Sequence, residues 1–234
     1  LKHRAGAIRR MFSAFSLVKE FYINTGMKRL FLLCTLAFFL SPFPQRGFAD
    51  VPQVSPVVRQ AETYLKNLTT AQARFLQTSP GGGQLVGTFY LDRPGRLRFE
   101  YDDPVEDFIV ADGFLIYFYD AELGEQTNAP IGQTLADFLL QSNLSLTDGL
   151  NVTAVKRSGG LLQITLVQSD DPAAGSITLG FSENPIALKK WRITDSTGAI
   201  TEIELFQLQT GIELARNLFI YVDPKRFEQP RYND

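Results

Sequence analysis

From residue 85 to residue 101 hydrophobic side chains recur at every second position, and that period leaves few folds open. Leu85, Gly87, Phe89 and Leu91 share one face. After the turn Arg93-Pro94-Gly95 the face resumes with Leu97, Phe99 and Tyr101, set against Arg96, Arg98, Glu100 and Asp102. A period of two is that of a half-buried strand, whose successive side chains point to opposite sides of a sheet. A further segment, residues 108–111, meets Asp112-Gly113, a pair suited to a tight hairpin. Residues 114–119 follow, apolar or aromatic on both faces. The pattern predicts hairpin-linked strands opening a sheet that covers something apolar.

Upstream, Ser55 is placed to cap a helix and Pro56 suits its first position. Val57, Ala61, Tyr64, Leu65 and Leu68 recur at helical spacing, with Thr69 and Thr70 closing the helix. Ala71, Ala73 and Phe75 alternate with Gln72, Arg74 and Leu76, which predicts a first strand ended by Ser79-Pro80-Gly81-Gly82-Gly83. No Gly-Lys-Ser/Thr follows those glycines, so they read as a loop and not as a phosphate cradle. Downstream, residues 121–133 look turn-like, and residues 134–142 offer a short amphipathic helix carrying Leu135, Phe138 and Leu139. A meander follows through residues 150–156, 161–168, 176–182, 186–194 and 199–208, closed by 218–222. The expected fold class is α+β, with about ten or eleven strands and two short helices. An antiparallel sheet of that length curls under its own twist into a barrel or half-barrel, and laying the helices across an open mouth is one economical way to bury their apolar faces.

The beginning of the chain reads differently. Met27-Lys28-Arg29, an apolar run over residues 30–40, and then Ser41, Pro42, Pro44 and Gly47-Phe48-Ala49 have the three regions of a secretory signal peptide. The run of eleven residues is shorter than the ~20 that cross a bilayer. The expected organisation is an upstream extension at 1–26 with Met27 as the true initiator, a signal peptide cleaved at 27–49, and a single domain at 50–234. The leader holds eight of the 23 Lys+Arg and one of the 25 Asp+Glu, leaving 15 basic against 24 acidic residues from Asp50 onward. Nucleic-acid phosphates call for the opposite balance, so no nucleic-acid partner is expected.

His3, Cys34, Met11 and Met27, which include the sole His and sole Cys, also fall in the leader. Without them the exported part has no thiolate nucleophile, no His general base and no His/Cys metal site, so no catalytic residues, metal or cofactor are expected. Glu100, Asp102, Asp103, Glu106, Asp107 and Asp112 form an acidic cluster. Glu100 and Asp102 belong to the charged face of a strand, however, and Asp103-Pro104 and Asp112-Gly113 to turns, where Asp has a backbone role. Trp191 reads as a core or rim strand residue. The aromatic abundance between residues 85 and 120 fits a barrel interior wider than its own side chains, a cavity that would favour acyl chains.

The run Leu91-Asp92-Arg93-Pro94-Gly95-Arg96-Leu97-Arg98-Phe99-Glu100-Tyr101, then Ile109-Val110-Ala111-Asp112-Gly113 and Ile116-Tyr117-Phe118-Tyr119-Asp120, resembles the central signature of the LolA family of periplasmic outer-membrane lipoprotein carriers. Ala73-Arg74-Phe75-Leu76-Gln77 resembles that family's opening. The resemblance implies an incomplete, half-open antiparallel β-barrel with short helices as a lid over an apolar cavity, in a soluble, monomeric periplasmic carrier that is not an enzyme. Such a carrier takes the acyl chains of lipoproteins from an inner-membrane ABC transporter and hands them to an outer-membrane acceptor where one exists. It implies a lid latch at Arg93, and pocket positions at Leu97 and Phe99 that parity had already placed on the apolar face. The expected cavity lining is Leu65, Phe75, Phe89, Leu91, Leu97, Phe99, Tyr101, Tyr117, Tyr119 and Phe138, with Tyr117 standing where many members have Trp. Two other readings stay open: a carrier of another lipid on the same scaffold, such as a glycolipid or hopanoid, and a periplasmic sensor or chaperone that recognises protein.

Overall fold

A computed structural model describes residues 55–132 and 135–227, so the expected extension and signal peptide lie outside the described residues. Helix α1 (Pro56–Asn67) starts after Ser55 with proline in its first turn. Its buried stripe is Val58, Ala61 and Leu65, continued by Leu68 just past its end. Val57 and Tyr64, expected on that stripe, are partly buried at its margin instead, because Val58 with Ala61, Leu65 and Leu68 makes the narrower arc at 3.6 residues per turn.

Eleven strands follow: β1 (Thr70–Thr78), β2 (Gln84–Asp92), β3 (Arg96–Tyr101), β4 (Phe108–Asp112), β5 (Leu115–Asp120), β6 (Glu125–Pro130), β7 (Leu150–Ser158), β8 (Leu161–Gln168), β9 (Gly175–Glu183), β10 (Ile186–Asp195) and β11 (Ile200–Thr210). They form one antiparallel sheet in the order β6-β5-β4-β3-β2-β1-β11-β10-β9-β8-β7. Every neighbour in the sheet is also a neighbour in sequence except β1 and β11, whose pairing stitches the two meanders together. Strands β6 and β7 keep free edges, so the sheet is an open half-barrel and not a closed one.

Three sequence expectations are corrected. Residues 121–133, read as turn-like, contain β6; its sequence EQTNAP carries no apolar alternation because both faces of this edge strand are largely in solvent. The helix expected over 134–142 is a short 3-10 helix, Leu135–Leu140. The strand expected at 218–222 does not form. Strand β11 already pairs on both sides, with β1 and β10, and the chain beyond it makes the 3-10 turn Arg216–Phe219 on β3 and β4.

The alternation read from the sequence sets the inner face. In β1 and β2 the odd-numbered residues from Ala71 to Gln77 and from Leu85 to Leu91 are buried. Gly87 lies opposite Phe75 and leaves the space that ring occupies: a Cβ there would come 2.7 Å from the ring and crowd the Glu100 carbonyl.

Candidate functional site

The inner face is built in rows across the sheet. Leu97 aligns with Ala111 and Ile116, and Phe99 with Ile109 and Phe118. Aromatic rings dominate its middle. Phe75 lies 5.1 Å from Phe99 and 5.3 Å from Tyr101, both edge-on, and Phe89 lies 4.9 Å from Phe99. Trp191 joins them from β10, 5.9 Å from Phe89 and 6.3 Å from both Phe99 and Phe138. Edge-on pairs at these separations add to the burial of the rings themselves.

Eight expected lining residues come together in this one apolar cluster: Leu65, Phe75, Phe89, Leu91, Leu97, Phe99, Tyr101 and Phe138, all under 10% exposed. Tyr117 and Tyr119 do not. They align with Val110 and Phe108 on the opposite face, where Tyr117 stacks on Tyr221 at 4.9 Å and Tyr119 on Phe108 at 5.2 Å. Both faces of β5 are apolar because the segment after β11 covers the outer one, and Ile116 and Phe118 take the inward positions. Trp191, read as a core or rim strand residue, is buried in this interior although it was not among the expected lining residues. Gln77 is also buried on this face, as its odd position in β1 required, and was not among the expected lining residues.

The cover consists of α1, lying against β10, and the 3-10 helix Leu135–Leu140, lying against β9, continued by the buried Leu144 and Leu146. The β2–β3 turn fastens both. The Arg93 guanidinium donates through Nη1 to the carbonyl of Leu65 at 2.6 Å and through Nη2 to that of Gln141 at 2.8 Å. The turn's backbone repeats the tie, with Arg93 N–H to Thr69 O at 2.7 Å and Gly95 N–H to Leu140 O at 3.0 Å. Partial burial lowers the guanidinium's pKa, and among the described residues no carboxylate pairs with it. Its charge faces helix-end carbonyls instead, which a cation stabilises through the helix dipole.

Glu62 makes a second tie, accepting from the Leu146 N–H at 2.9 Å while Lys66 pairs with its other oxygen at 2.5 Å. Burial raises the Glu62 pKa, but the bonds from Lys66 and Leu146 outweigh it and hold the carboxyl below its usual range. A carboxylate with a depressed folded-state pKa stabilises fully above its unfolded value, and that contribution is lost as pH falls through the folded one. Acidification below the ordinary Glu range is therefore expected to lower the amide protection factor at Leu146, the ratio of an unprotected amide's exchange rate to its own at the same pH, and Glu62→Gln to remove that pH dependence. An unchanged acid profile in the variant would exclude Glu62 as its cause.

Four of the six acidic-cluster residues have structural partners, Glu100 with Arg98 and Asp107 with the Ala121 N–H among them. Asp102 pairs with Arg74, and Asp112 accepts from the N–H groups of Phe114 and Leu115 and from the Tyr117 hydroxyl. Two surface hollows, about 630 and 500 Å³, are bordered by Lys190 with Glu204 and by Arg192 with Glu202, on the charged side of the sheet.

An open antiparallel half-barrel with an aromatic inner face, under a short helical cover bonded to the β2–β3 turn through Arg93 and its neighbouring backbone, defines the class of protein. The family model described as outer membrane lipoprotein carrier protein LolA matches residues 66–222, and the chain belongs to that family. It is 32% identical over 208 residues to an outer-membrane lipoprotein carrier protein of Legionella pneumophila, covering 85% of this chain and 96% of that one. It is 29% identical over 187 residues to one from Methylococcus capsulatus, covering 76% and 88%. Among solved structures it is similar to a LolA superfamily protein from Nitrosomonas europaea, at a TM-score of 0.40 and 7% identity over 70% of this chain and 97% of the other.

Proposed function

We propose that this protein shuttles lipoproteins through the periplasm, sheltering their acyl chains between the concave face and the displaced cover. It receives them from an inner-membrane ABC transporter and gives them up to an acceptor at the outer membrane. The eight clustered side chains are the proposed lining and Arg93 the proposed latch. The observation that carries this reading is the Arg93 tie: one side chain bonds to carbonyls of both cover elements above an otherwise apolar face.

Its logic is a balance of free energies. Each buried methylene contributes ~0.8 kcal/mol, so whole acyl chains would bind too tightly to be released unless opening the cover had a cost. Closing the aromatic cluster on itself and re-forming the Arg93 bonds supplies that cost, each bond to a charged group being worth ~1.5–3 kcal/mol. A partner can then drive loading or release by modest differential contacts with the open and closed forms.

The test is native mass spectrometry of protein purified from the periplasm of cells making a tagged lipoprotein, with displacement of a hydrophobic dye by acylated peptide. Co-purification of the triacylated form and acyl-dependent displacement are expected. A different co-purifying lipid would overturn the cargo, and indifference to acylation would overturn lipid binding itself.

A further inference from the structure

The interior is apolar apart from a few groups, and one of them is incompletely satisfied. Gln77 is fully buried on the inner face of β1, between its ladder partners Leu85 and Ile203. The Tyr101 hydroxyl donates to its Oε1 at 2.8 Å, while its Nε2, also buried, has no hydrogen-bond partner among the described residues. Burial pushes the Tyr101 phenol far above its usual pKa, with Asp107 adding to the effect, so Tyr101 remains a neutral donor at physiological pH. Tyr101 thus fixes the amide with its oxygen occupied and its N–H groups free.

A buried donor without an acceptor is unfavourable, and native interiors rarely keep one without a use. Position narrows the use. Gln77 lies at the end of β1 away from the Arg93 turn, three residues before Pro80 and close to the exposed Gly81 and Gly82, so it stands at the rim of the aromatic wall. Hydrocarbon has nothing to offer an amide N–H; the carbonyl oxygen that ends an acyl chain does.

We propose that Gln77 is the polar anchor of the acyl-binding interior, donating through Nε2 to the ester carbonyl oxygen of a bound acyl chain. Tyr101 acts as the positioning residue that orients the amide. The anchor keeps the ester end at the β1–β2 rim while the hydrocarbon runs along Phe75, Phe89 and Phe99. This rests on the lipid-carrier reading above and adds the recognition of the ester.

The test compares binding of dipalmitoylglycerol with its diether analogue, dihexadecylglycerol, which has the same chains and lacks the carbonyls. The wild-type protein is expected to favour the ester about tenfold, equivalent to about 1.4 kcal/mol, and Gln77→Leu to lose that preference while keeping its affinity for the ether. Gln77→Met serves if the leucine variant does not fold. Independently of any variant, the infrared stretch of a carbon-13-labelled ester carbonyl should move to the lower frequency of a hydrogen-bonded group on binding. Equal wild-type affinities, an unchanged preference in the variants, an unbonded carbonyl frequency, or tighter binding of free palmitate than of the ester would each overturn the anchor. If the wild-type protein bound neither glycerolipid, the carrier reading itself would fall.

Discussion

Phe99→Glu is expected to weaken binding of an apolar probe by on the order of 100-fold, whereas Arg96→Glu, three residues away on the other face, stays within about twofold of wild type. Phe99 is 5% exposed and packs on the rings of Phe75, Phe89 and Trp191. A carboxylate there loses its hydration with no cation to compensate, so it either takes up a proton or draws water into the interior. Both outcomes spoil an apolar site. Loss of the ring alone costs about 3–5 kcal/mol of stability, so binding must be measured well below the variant's melting temperature. Leu97→Glu, 7% exposed in the wild type, provides the second variant. Arg96 pairs outward with Asp92 at 2.8 Å, and losing such a partly exposed pair is worth at most about 1 kcal/mol. Equal losses on both faces would refute the assignment of the concave face as the binding site.

Arg93→Leu should leave the protein folded and slow delivery of bound lipoprotein to acceptor membranes by roughly ten- to hundredfold. The substitution removes the side-chain bonds to Leu65 and Gln141 but keeps the backbone ties from Arg93 N–H to Thr69 and from Gly95 N–H to Leu140. A few kcal/mol of gross bonding, partly replaced by water in the open form, leaves a net shift of about 1.4–2.8 kcal/mol between closed and open states. In the proposed cycle the loaded form is the open one, so removing a competitor of the open state makes the cargo harder to release. Transfer at the wild-type rate would end the gating role of Arg93. Retention of cargo with an unchanged melting temperature is the outcome expected of a latch, because a purely structural arginine would show itself in stability first.

The two predictions differ in how they could be reached. The inward position of Phe99 follows from counting along β3, whereas the latch entered through resemblance, and only the folded chain brings Arg93 to the carbonyls of two segments 76 positions apart, Leu65 and Gln141. For β5 counting failed: residues 115–119 are apolar on both faces, and it is the register with β4, Tyr117 opposite Val110 and Phe118 opposite Ile109, that turns the tyrosines outward.

By itself the sequence determined whatever depends on near neighbours: the helix after Ser55, the alternation that sorts β1, β2 and β3 into an apolar and a charged face, the turn at Asp112-Gly113, and the lack of His and Cys from Asp50 onward. The tertiary structure decided whatever depends on pairing across distance. It placed Trp191 against Phe89 and Phe99, recruited the polar segment Glu125–Pro130 as an edge strand, and laid Tyr221 over Tyr117. The physical reason is that periodicity reports which side of a strand a residue faces, while the partner on that side is chosen by register and by the β1–β11 pairing that joins the two meanders. Gln77 shows both: its parity is plain in the sequence, but its unpartnered amide exists only once the folded chain has buried it.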